Sequence, residues 1–168
     1  MSDFNQSSHD FKRFVEQLTK GHAPSDLYFE ETLFYVYLPD MNTFKKSCPH
    51  DGVRDLFTWL SEEKKVETIK NLNIPDNTTC PMSDELVEEA VINRFQIEKF
   101  DWRKLDINID ILTKSEHASK FTDITLYSSG NWSVLYHWAS KEGLCMLPNV
   151  CGLLDHRNEA ALTPIMKM

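Results

Sequence analysis

The chain has 168 residues with 41% hydrophobic and 11% aromatic content, enough to bury one core and to exclude wholesale disorder. Only 5 Gly and 7 Pro exclude collagen-like and low-complexity classes. Eighteen Lys+Arg against 26 Asp+Glu leave a net charge of −8, which argues against a general nucleic-acid binder, because phosphates would meet excess carboxylate.

Ser8 can cap a first helix with Phe11, Phe14, Val15 and Leu18 on one stripe, ended by Gly21 and Pro24. The aromatic and β-branched run Leu33 to Leu38, closed by Pro39 and Asp40, reads as a buried strand, and 39–50 as a polar loop. Asp51 is placed to cap a helix with Val53, Leu56, Phe57 and Leu60 inward, and Ser83 to cap another lined by Val87, Val91, Arg94 and Phe95. A weaker helix is expected from Asp110 towards Lys120. The last starts after Asn131, turns Val134, Leu135, Trp138 and Ala139 inward, and stops at Gly143 as a C′ residue.

The segments between these helices share a spacing. Ile69, Leu72, Ile74 and Asn77 fit the leucine-rich-repeat pattern L-x-x-L-x-L-x-x-N, and Ile97, Phe100 and Trp102, then Phe121, Ile124 and Leu126, fit its first three positions. The expected fold is therefore α/β, a small mostly parallel sheet with helices, with leucine-rich-repeat-like character as an addition. The domain reading is an N-terminal helix and linker over 1–30, an α/β domain over 31–155, and a C-terminal tail over 156–168.

The opening residues lack a basic n-region and an apolar h-region, and no stretch reaches the ~18 apolar residues of a membrane span. A soluble, cytoplasmic protein without membrane contact is expected. Four scattered cysteines, Cys48, Cys80, Cys145 and Cys151, read as reduced thiols.

Several constellations invite a chemical reading. Cys48, His50 and Asp51 lie within one short stretch, yet neighbours so close in sequence rarely face one another, and a loop with a helix cap is the preferred reading. Zinc-ligand spacings are lacking, so no metal or other cofactor is expected. Asp101, Asp106 and Asp110 read as a solvated strand edge rather than acid–base machinery. The turn from Ser128 to Ser133 follows a strand and opens a helix, where open α/β sheets bind ligands. Ser128, Ser129, Asn131, Trp132 and His137 are the candidate binding residues, and no catalytic residue is assigned. Residues 51–100 hold 11 acidic against 6 basic side chains, a face suited to orienting a basic partner or simply to solvation.

The run Phe100-Asp101-Trp102-Arg103-Lys104-Leu105-Asp106-Ile107, followed by Leu126-Tyr127-Ser128-Ser129-Gly130 and Val134-Leu135-Tyr136-His137-Trp138, resembles the region preceding the protease domain of large intracellular fungal subtilisin-like proteins. The resemblance spans roughly residues 30 to 150. The subtilisin catalytic motifs are missing from this sequence, so no triad residue carries over. It implies a non-catalytic, intracellular protein-interaction or regulatory module with a protein partner. The alternatives are a small hydrolase or ligand-binding enzyme using the 128–138 strand–turn–helix, and a truncated relative of a larger protease.

Overall fold

A computed structural model describes residues 11–20, 28–43 and 50–151. The predicted tail over 156–168 and the predicted caps and breakers Ser8, Gly21 and Pro24 lie outside the described residues. The elements are α1 (Phe11–Lys20), β1 (Thr32–Tyr37), α2 (His50–Glu62), β2 (Thr68–Ile74), α3 (Asp84–Val87), β3 (Gln96–Leu105), α4 (Asp110–Thr113), β4 (Asp123–Tyr127), α5 (Trp132–Ala139) and α6 (Pro148–Cys151). The four strands form one sheet in the order β1-β2-β3-β4, each pair parallel. Architecture and strand direction are those expected from the alternation of strands and helices.

Sequential parallel strands have a direct consequence. Right-handed crossovers that all step the same way put every connecting helix on the same side of the sheet. Leu72 and Ile74, with the residues paired to them, turn to that side, while Ile69 and Ile97, three residues before Leu72 and Phe100, are buried at the start of their strands. Leu33 pairs with Ile69 and Ile69 with Ile97, while Val36, Leu72, Phe100 and Ile124 form a second row across all four strands. Ile74 and Trp102 extend a third row. Ile69, Leu72, Ile74, Ile97, Phe100 and Trp102 are each no more than 1% exposed. Helix α2 closes over these rows with Val53, Leu56, Phe57, Trp59 and Leu60, and α1 packs on α2 and buries Val15.

The helices differ in detail from the pattern. Helix α2 begins at His50, so Asp51 sits in the first turn, where its carboxylate pairs with Arg54 at 3.1 Å. Ser83 does cap α3, accepting from the Leu86 amide at 3.3 Å. After Val87 the helix widens to a π-turn over Glu88–Ile92, with Asn93 N–H donating to Glu88 O at 2.9 Å, and this keeps Ala90, Val91 and Ile92 all buried. The weak third helix is one turn, α4, plus a 3₁₀ turn at Ala118–Lys120. Helix α5 stops at Ala139, which is exposed. Gly143 is needed for close approach, because a Cβ there would lie 2.3 Å from His137 O and 2.4 Å from Trp138 O.

Two polar anchors hold the ends of the strands. The Asp76 carboxylate, 4% exposed, accepts from Trp102 Nε1 at 3.0 Å and from the backbone amides of Asn77 and Met82. Asn77, 7% exposed, donates to Met41 O at 3.1 Å and accepts from the amides of Thr79 and Cys80. Buried polar groups without such partners would cost about 1–3 kcal/mol each. These anchors join the loop after β1, the loop after β2 and the core of β3.

Candidate functional site

Among the described residues the connecting helices lie on one face of the sheet, so the other is polar or meets a partner. The alternation along each strand sends a second set of rows to this open face. Tyr35, Asn71, Lys99 and Asp123 align across the four strands, and beside them Tyr37, Asn73, Asp101 and Thr125 align. These residues, Tyr35 apart, line a shallow open depression. Tyr35 and Tyr37 are 68% and 64% exposed, with ring centroids 6.3 Å apart.

Hydrogen bonding fixes the polar centre of this face. Asp101 accepts from Asn73 Nδ2 at 2.6 Å through one carboxylate oxygen and from the Tyr127 hydroxyl at 2.9 Å through the other. Partial burial raises the Tyr127 pKa above 10.0, and the Asp101 carboxylate raises it further, because a phenolate there would face a carboxylate. Asn71 donates to Phe34 O at 3.0 Å, and Lys99 lies 3.9 Å from Asp123. The surface is graded from aromatic on β1, through amide on β2, to charged on β3 and β4. Tyrosine and asparagine supply broad, adaptable contact area with little rotamer entropy to lose.

The residues singled out in the sequence lie elsewhere. Ser128 and Ser129 form a turn held by Asp106, which accepts from the Ser129 amide at 2.9 Å, the Ser128 hydroxyl at 3.3 Å and the Ser129 hydroxyl. Gly130 N–H donates to Ser128 Oγ, and Asn131 caps α5 by accepting from Ser133 N–H at 3.1 Å. The Ser129, Gly130 and Ser133 amides are thus engaged within the chain, and the Asp106 carboxylate sits against the turn. His137 Nε2 lies 3.1 Å from Asp110, whose carboxyl is held below the usual range first by Lys114 and then by His137. Both serines hydrogen-bond to Asp106 and the imidazole to Asp110. Trp132 is 76% exposed and Tyr136, one turn along α5, is 71% exposed. Trp138 is buried and donates to Ile107 O at 3.0 Å.

Other expectations resolve similarly. His50 contacts the Cys80 carbonyl at 2.9 Å; Cys48 lies outside the described residues. Cys80 is disulfide-bonded, against the reduced state expected from the sparse cysteines, while Cys145 is free and exposed. Asp101 is an anchor of the open face and Asp106 of the turn. No group of three or more metal-ligating side chains converges among the described residues, and no helix among them is long and apolar enough to cross a membrane.

The open face is not legible in the sequence because its residues carry no signal singly. Tyr35, Asn73 and Thr125 acquire meaning only when the strands are in register. The signal that could have found them was the x positions between the repeated apolar ones. No family model, curated protein or solved structure matches the chain.

Proposed function

We propose that the chain is a non-catalytic protein-interaction or regulatory module whose partner seats on the open face of the sheet. The observation that carries this reading is the pair of aligned rows, Tyr35–Asn71–Lys99–Asp123 and Tyr37–Asn73–Asp101–Thr125, left uncovered by the described helices. A leucine-rich-repeat-like organisation supports it. The apolar rows recur at the repeat spacing, and Asn77 bonds loop backbone in its own unit and the preceding one. The resemblance to the accessory region of fungal subtilisin-like proteins supports the same role, with the cytoplasm as the working compartment. The Cys80 disulfide pulls the other way on compartment, since cytosolic reductants keep such bonds open. Counting reduced thiols in protein taken from cells decides between the two.

The test is site-specific photo-crosslinking in cells, with the probe at Thr125 on the open face or at exposed Lys141 as control. A discrete protein adduct from position 125, lost in a Tyr35→Ser/Tyr37→Ser background and lacking at 141, is expected. Equal labelling from both positions, or none from either, contradicts the reading.

A further inference from the structure

Resting on that reading, we propose that the outer edge of β1 takes up an extended segment of a partner protein as a fifth strand, and that this segment carries Lys or Arg beside Glu30 and Glu31. β1 is the first strand in the sheet order, and no strand pairs with its outer edge among the described residues. Edge strands of soluble proteins are normally guarded by a lysine, a proline, a bulge or short length. The sequence Thr32-Leu33-Phe34-Tyr35-Val36-Tyr37 has no charge and no proline, and its pairing with β2 shows no register shift. Phe34, Tyr35 and Tyr37 are 67%, 68% and 64% exposed. Such an edge offers backbone hydrogen bonds for affinity and aromatic side chains for specificity, the requirements for strand addition.

Charge identifies the occupant. At the start of the strand Glu30 and Glu31 are exposed, and the Glu31 carbonyl accepts from the amide of exposed Glu67, bringing a third carboxylate alongside. None of the three forms an ion pair with a described residue. Of the cations in the turn before β2, Lys64 lies over the Trp59 ring at 5.1 Å and Lys65 is exposed, so two cations stand against three carboxylates in this stretch. Residues 28–43 contain Glu30, Glu31 and Asp40 and no Lys or Arg. A second copy pairing through the same strand would bring its own segment 28–43, which carries carboxylates and no Lys or Arg, to this edge. A basic-flanked apolar segment matches it in shape and sign.

The experiment uses the full chain labelled for backbone amide NMR and two synthetic peptides. Each has a core of about six alternating valines and threonines, flanked at both ends by lysine pairs in one and glutamate pairs in the other. The lysine peptide should shift the amides of residues 30–37 and bind at least about tenfold more tightly than the glutamate peptide. Glu30→Lys/Glu31→Lys should reverse that order, and the spectrum itself reports that the variant is folded. Shifts centred on Asn71, Asn73, Lys99 and Asp101 would overturn the edge site while leaving the open-face reading intact. Shifts at 30–37 that depend on protein concentration alone would make a second copy the occupant and overturn the proposal. No shift with either peptide at millimolar concentration would also overturn it.

Discussion

The two faces of the sheet are built from the same strands and obey opposite rules. On the helix side, Leu72 lies between Val36 and Phe100, and all three are buried. On the open side, one residue away, Asn73 lies between Tyr37 and Asp101, in contact with solvent. A two-residue period separates residues that hold the fold from residues that the fold holds in place. The difference teaches where substitutions should be silent for stability yet costly for function.

The largest effect is expected on the buried side. Leu72→Ala removes a side chain that is 1% exposed from a row crossing all four strands, and should cost about 2–5 kcal/mol in urea denaturation. A cost below about 1 kcal/mol would mean that the row can collapse around the gap. Next comes Asp76→Ala, which strands the Trp102 indole N–H and the amides of Asn77 and Met82. It should cost about 3 kcal/mol, with a change in tryptophan fluorescence, because a buried donor loses its acceptor.

A smaller effect sharpens the comparison on the open side. Tyr127 is raised above 10.0 by burial and by Asp101, so its neutral form is favoured in the folded chain. Its contribution is fully present below the unfolded value and is lost as pH rises through the folded one. Asp101→Asn should therefore bring the Tyr127 titration, followed by NMR of labelled tyrosine, down towards the ordinary value. An unchanged titration would show that burial alone raises it.

Much of the fold was legible in the sequence, because hydrophobic spacing reports directly on a sheet covered on one side. Ile69, Leu72 and Ile74 match Ile97, Phe100 and Trp102 at the same offsets, and the strands pair at those positions. The equivalent positions in β1 are Leu33 and Val36. They fall outside the series in the sequence because the chain takes 36 residues from Leu33 to Ile69, beyond the ordinary repeat length. The 128–131 turn was legible as a capped turn, since Asn131 followed by an apolar stripe is a local signal. Its occupation by Asp106 was not, for Asp106 is distant in sequence and takes a positive φ of 55° to reach it. The open face was the least legible, because cross-strand neighbours are set by register rather than by sequence distance.

The most direct test of a sheet with one folding face and one open face is to compare urea midpoints for Leu72→Ala and for the combined variant Tyr35→Ser/Tyr37→Ser/Thr125→Ser. The account predicts that the three open-face changes together cost less than about 1.5 kcal/mol, each being within about 0.5 kcal/mol of neutral, while Leu72→Ala alone costs more. An open-face variant destabilised as strongly as Leu72→Ala would mean that this face is covered core, and would contradict the account.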